Sequence, residues 1–243
     1  ALNEAVVGQL HDAFKAAAAD DGVKGIVIAG AGKAFIAGAD IRFFVRNIDA
    51  GDLDRIYDFT VKGHELLHDV SHCVKPVVAR LHGLALGGGL ELALACDRIV
   101  ATPKAVVAFP ETGIGIYPGL GGTQRTPRRV GTGLAKWLVY TGQTIPAAQA
   151  HQIGLVDAVV PHERLDATIA DMIASGAGAA ERRETPAEWR PLESLFAANS
   201  VESLRSGEVR IDDGKLAKMA KKVSFKAPVA LRLAEKLIDA SAS

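Results

Sequence analysis

"KPVVARLHGLALGGGLELALACD", residues 75–97, decides how this chain folds. Pro76 opens an apolar, β-branched run, "PVVARL", that reads as a buried strand. Gly87, Gly88 and Gly89 break it, and "LELALACD" reads as the helix that follows. Short strands are expected next at 98–101 and 106–109. A buried strand that turns through glycines into a helix is the repeating unit of an α/β fold with largely parallel strands.

The rest of the chain fits around that unit. Leu2, Val6, Leu10 and Phe14 recur at helical spacing over 2–19, and Gly22 stops the pattern before a strand at "KGIVIAG" (24–30). A Gly/Ala loop, "AGAGKAFIAGAD" (29–40), leads to a helix near 41–48 and a longer one over about 53–71. From residue 121 onward helical patterns dominate, apart from a strand expected at "LVDAVV" (155–160). Residues 176–190 combine Gly, Pro and charge and read as a loop or hinge, and 227–240 as an amphipathic helix with Pro228 near its first turn. The expected division is a core over 1–160 and a helical region over 161–243.

Composition narrows the classes of function. Lys plus Arg and Asp plus Glu number 28 each, which argues against a polyanion partner such as nucleic acid. The long apolar runs are interrupted by Arg80, His82 and Glu91, so no membrane span is expected. Cys73 and Cys96 are the only cysteines, in no metal-like pattern, and a reducing cytoplasmic setting fits them. The chain opens directly in helical periodicity, without a preceding strand, and reads as one whose first strand is missing.

"HELLH" (64–68) matches H-E-x-x-H, in which two histidines one helical turn apart bind zinc beside a glutamate base. His72 adds a third imidazole on the same face. Against a metallopeptidase stand the apolar residues Val61, Leu66, Leu67 and Val70 on that helix, and the lack of the longer H-E-x-x-H-x-x-G-x-x-H extension. A partly exposed histidine face is the simpler reading. "GAGKAF" (30–35) lacks the last glycine of a dinucleotide fingerprint, where Phe35 stands, and the Ser or Thr of a phosphate loop, where Ala34 stands.

Two glycine-rich segments remain, "AFIAGADI" (34–41) and "LALGGGLELALACD" (84–97). Small residues let a ligand approach the backbone, and exposed amides there can face developing negative charge; tight turns alone would need the same glycines. Glu91 falls in the first turn of the helix after the glycines, and Glu111 lies just beyond the strand "AVVAF". Each could be bland, Glu91 as a capping residue and Glu111 as a solvated loop charge. Apolar flanks would instead raise both pKa values and suit them to acid/base work if they share a pocket.

Four blocks in order, "GKAFIAGADI", "KPVVARLHGLALGGGLELALACD", "FPETGIGIYPGLGGTQR" and "GQTIPAAQAHQIGLVDAVVP", resemble the enoyl-CoA hydratase/isomerase (crotonase) family over about residues 1–170, with weaker continuation at 224–240. The resemblance implies a spiral of ββα units, a C-terminal helical oligomerisation region, and trimers or paired trimers. It implies a coenzyme A thioester as substrate, with no separate cofactor and no metal. Carried over by position, the amides of Ala39 and Gly88 match the oxyanion hole, and Glu91 and Glu111 match the paired catalytic glutamates. Ala37, Asp40, Ile41 and Arg42 match the coenzyme A-binding segment, and Gly119 matches the acyl site.

The expected activity is hydration of trans-2-enoyl-CoA to 3-hydroxyacyl-CoA in fatty-acid β-oxidation. An enoyl-CoA isomerase, a 3-hydroxyacyl-CoA hydrolase and a non-catalytic CoA-binding subunit are the alternatives. Residues 176–223 depart from a simple hydratase and faintly resemble the hydrolase branch; that branch usually lacks the first glutamate and carries an acid near the Gly119 position. The abrupt start and atypical tail suggest a domain of a larger β-oxidation polypeptide.

Overall fold

The computed structural model describes residues 1–176 and 178–241; one residue of the expected 176–190 loop, Ala177, lies outside them. Two four-stranded sheets form the core. One has the order β1 (Ile26–Ala29), β3 (Val77–Leu81), β5 (Arg98–Ala101), β8 (Ala158–Val159). The other runs β2 (Ala34–Ala37), β4 (Leu84–Leu86), β6 (Val106–Ala108), β7 (Ile145–Pro146). Every pairing is parallel except β6 with β7. The chain therefore winds as a spiral: each turn contributes its first strand to one sheet and its second to the other. Parallel stacking of such turns buries both faces of the inner strands, which is why β3 is apolar at every position but Arg80.

The helices confirm the periodicity readings: α1 covers Glu4–Ala19, α2 Ile41–Asp49, α3 Leu53–Ser71, and α4 Gly88–Ala95. Two expectations need correction. The loop expected over 29–40 contains β2, a four-residue strand, and the run from Pro76 to the glycines is two strands, not one. His82 and Gly83, the latter at φ +64°, turn the chain between β3 and β4. A strand of three or four residues flanked by glycines is too short to show a period.

Downstream come α5 (Gly122–Val130), α6 (Thr132–Thr141), α7 (Ala147–Gln152), α8 (Leu165–Ala174), α9 (Arg190–Ala198), α10 (Val201–Ser206), α11 (Gly214–Lys221) and α12 (Pro228–Ser241). Helix α8 closes over the first sheet through Leu165 and Ile169 on Val78 and Val100. Helix α9 packs on α6, burying Leu192 and Phe196 in the core that holds Trp137 and Tyr140. Glu193 of α9 accepts hydrogen bonds from the Gly133 and Leu134 amides and so caps α6 across the interface. The atypical segment is thus welded to the fold, not appended to it.

Candidate active site

Parallel register assembles the site. β2 pairs with β4 so that Ala37 faces Leu86, and β4 pairs with β6 so that Leu86 faces Ala108. The three strands end side by side, which brings Ala39, Gly88 and Glu111 to one edge although they are far apart in sequence. Leu2 bridges Ala39: its N–H donates to Gly38 O at 2.9 Å, and its carbonyl accepts from Asp40 N at 2.9 Å. In such a bridge the intervening residue points its own N–H away, so the Ala39 amide faces the opposite side. Gly88 begins α4, where an amide has no intrahelical acceptor.

The turn into α4 is built around two acidic side chains. Gly87 sits at φ +51°, and a Cβ there would come within 2.5 Å of Glu111 Oε1. A Cβ on Gly88 would lie 4.0 Å from Glu91 Oε2. Glu111 therefore rests against Gly87, and Glu91 lies within van der Waals reach of Gly88, whose nearer neighbours are Leu2 and Leu120; Gly89 packs on Ile36. Glu91 is 2% exposed and Glu111 8%. Oε1 of Glu91 accepts from Leu120 N at 2.7 Å and Gly122 N at 2.8 Å, the amides that lead into α5. Glu111 Oε2 is buried with no hydrogen-bond partner among the described residues, an expensive state for a carboxylate and one that a ligand or water would relieve.

Burial pushes both carboxyls up. Glu91 rises to about 7 through desolvation, against the lowering effect of the two amides and the Arg125 charge. Glu111 rises to about 8 through desolvation and then through the nearby charge of Glu91. The two cannot both ionise cheaply near neutrality, so they titrate as a pair. The bland readings of a capping Glu91 and a solvated Glu111 are therefore set aside: α4 has no side-chain cap bond, and Glu111 lies on a buried 3₁₀ turn (Glu111–Gly113). Next to it, Thr112 ties that turn to Val139 O at 3.0 Å and to the Ala227 amide at 3.0 Å.

The remaining residues singled out in the sequence surround this edge. Ala37 ends β2, Asp40 caps α2 by accepting from Arg42 N at 3.0 Å, and Ile41 and Arg42 are exposed on its first turn. Gly119 lies half-buried in the loop that carries the Leu120 amide. Sequence reasoning missed the Leu120 and Gly122 amides and Arg125, all inside the block "GLGGTQR"; backbone donors leave no side-chain signature to find. The HELLH segment lies on α3 with His64, Glu65 and His68 exposed. His68 stacks on His72 at 4.0 Å between ring centroids, while Asp69 pairs instead with His11 of α1 at 2.6 Å. Among the described residues no three His, Cys, Asp or Glu side chains converge to hold a metal ion. Nothing supports the peptidase reading.

A spiral of ββα turns with two buried carboxylates at the edge where three parallel strands end defines the crotonase-type fold class, and the chain matches the enoyl-CoA hydratase/isomerase family profile over residues 1–187. It belongs to that family. Its relatives include a crotonyl-CoA hydratase of Syntrophomonas wolfei, 44% identical over 68% of this chain and 62% of that protein. The fatty acid oxidation complex subunit alpha of Pseudomonas aeruginosa is 36% identical over 85% of this chain and 28% of its own length. An enoyl-CoA hydratase structure from Rhodobacter sphaeroides superposes with a TM-score of 0.84 over 99% of this chain and 72% of that one, at 24% identity, a likeness of fold. The chain spans less than two thirds of the length of both curated relatives.

Proposed function

We propose that this chain hydrates trans-2-enoyl-CoA to 3-hydroxyacyl-CoA in fatty-acid β-oxidation. The observation that carries the reading is the placement of Glu91 and Glu111 against Gly88 and Gly87, beside an amide that begins a helix. Hydration forms a C–O bond at C3 and a C–H bond at C2, while negative charge collects on the thioester oxygen. Amide donors at Ala39 and Gly88 stabilise that oxygen; one such donor is worth about 3–4 kcal/mol in comparable sites. Ionised Glu91, its Oε1 fixed by two amides, leaves Oε2 to orient and deprotonate the water. Neutral Glu111, the weaker acid of the pair, supplies the C2 proton, and the proton taken from water restores the pair's charge. The C2=C3 π bond and one water O–H bond break as the C3–O and C2–H bonds form, so water and the two carboxyls balance the reaction with no oxidant or reductant.

The segment Ala37, Asp40, Ile41 and Arg42 takes the coenzyme A moiety and Gly119 borders the acyl group. The Pseudomonas aeruginosa fatty acid oxidation complex subunit, of which this chain matches 28%, supports a place for it within a larger β-oxidation protein. Phe225, Val229 and Leu233, exposed on and before α12, support assembly with further copies as a homotrimer or paired trimers. No described helix is long and apolar enough to cross a membrane, and both cysteines are free, which fits a reducing cytoplasm. Incubation with crotonyl-CoA tests the activity: enoyl absorbance falls without release of free thiol. Free coenzyme A appearing in step with substrate loss would instead indicate thioester hydrolysis.

A further inference from the structure

Arg125 of α5 has entered so far only as a charge near Glu91. Its Nη1 donates to Leu120 O at 3.0 Å and its Nη2 to Leu67 O of α3 at 3.4 Å. The guanidinium occupies the space where a Cβ on Gly121, at φ +104°, would stand. Leu120 is the residue whose amide donates to Glu91 Oε1, and its side chain seats on Gly63 of α3. Arg125 thus grips one face of the Leu120 residue while Glu91 is held by the other. Its cation is half-buried and, after the two amides, is the third group that favours ionised Glu91. The charged or titratable groups around this pair are Glu111 after β6, Cys96 at the end of α4, and Arg128 on α5.

Building on the hydratase reading, we infer that Arg125 is a positioning residue: it clamps, against α3, the loop whose Leu120 and Gly122 amides hold Glu91 in place. It touches no reacting atom. The HELLH helix enters this arrangement through the main-chain carbonyl of Leu67, not through its histidines.

The test compares wild type, Arg125→Gln and Arg125→Lys by two readouts. One is crotonyl-CoA hydration against pH; the other is carboxyl ¹³C titration of Glu91 in the free protein, assigned with Glu91→Gln. In Arg125→Gln, kcat falls about 10- to 100-fold with KM within about threefold, since misplacement of a reacting group costs rate before affinity. The acid limb of the rate and the Glu91 titration both move upward, because the amides and the cation that favour the ionised carboxylate are loosened or lost. Arg125→Lys, which keeps the charge and loses the fork, restores most of the titration shift but not the rate. A folded Arg125→Gln whose Glu91 titrates as in wild type overturns the inference. If Arg125→Gln does not fold, Arg125→Lys decides: a kcat drop of about fivefold or more supports the clamp, and an unchanged kcat overturns it. Failure of the wild type to hydrate crotonyl-CoA would refute the activity, and the Glu91 titration would still decide the role of Arg125.

Discussion

Glu91 and Glu111 face the same turn from two sides, with Glu91 Oε2 near Gly88 and Glu111 Oε1 against Gly87, and the charge of one raises the pKa of the other. This coupling makes the pair chemically unequal. Glu91 is held by two amides and a cation, whereas Glu111 has an unpartnered oxygen, so the proton they share resides on Glu111. The predictions below follow from that inequality and from the scaffold that enforces it.

Ionising a carboxyl in this site costs folding free energy. The folded pKa values lie above the ordinary carboxyl value of 4.5, so the native state binds more protons than the unfolded chain between about pH 4.5 and about 8. Stability therefore falls as pH rises through that window. Glu111→Gln, which removes one ionisation, is expected to melt higher than wild type at pH 8 and alike at pH 4. Each kcal/mol recovered corresponds to about 2–4 °C. Thermal unfolding at both pH values checks this, and a lower melting temperature for the variant at pH 8 would count against it.

Gly87→Ala combines two penalties. At φ +51° and ψ −124°, outside the left-handed helical well, an L side chain costs about 1–3 kcal/mol, and its Cβ would displace Glu111 Oε1. Hydration should drop by about 100-fold or more, while the variant still folds with a modest loss in denaturant midpoint. Circular dichroism alongside the assay separates the two effects.

Helix α9 should matter to stability and not to chemistry. Phe196 is fully buried between α9 and α6. Phe196→Ala is expected to cost about 3–5 kcal/mol in urea unfolding, and Glu193→Ala about 1–2 kcal/mol through lost capping bonds. Loss below about 1 kcal/mol for Phe196→Ala would mean the segment from 190 to 206 does not pack as described.

The histidines of α3 should be dispensable. His64→Ala with His68→Ala, and treatment with a strong chelator, are each expected to leave crotonyl-CoA hydration within about twofold of wild type. Their rings are exposed and their neighbours do not converge on a metal position.

Much of this was readable beforehand. The long periodic segments, α1, α3 and α12, fall where Leu, Val and Phe spacing puts them, because burial of one helical face leaves a trace over four or five turns. β2, β4 and β7 were not legible: two to four residues beside glycine or proline carry no period, and their pairing partners lie about 20 to 50 positions away. Glu91 and Glu111 stood out as acids in apolar surroundings. Their meeting could not be read, because it depends on the β2–β4–β6 register. The Leu120 amide and the Arg125 fork were invisible for a related reason: main-chain donors are present at nearly every residue, and only the fold selects which ones count.

The central claim rests on two acids acting together on one thioester. The most direct measurement is steady-state hydration of crotonyl-CoA by wild type, Glu91→Gln and Glu111→Gln, with folding checked by circular dichroism. Each folded variant is predicted to lose about 10²- to 10⁴-fold in kcat with KM little changed. Two folded variants turning over at the wild-type rate would contradict the account.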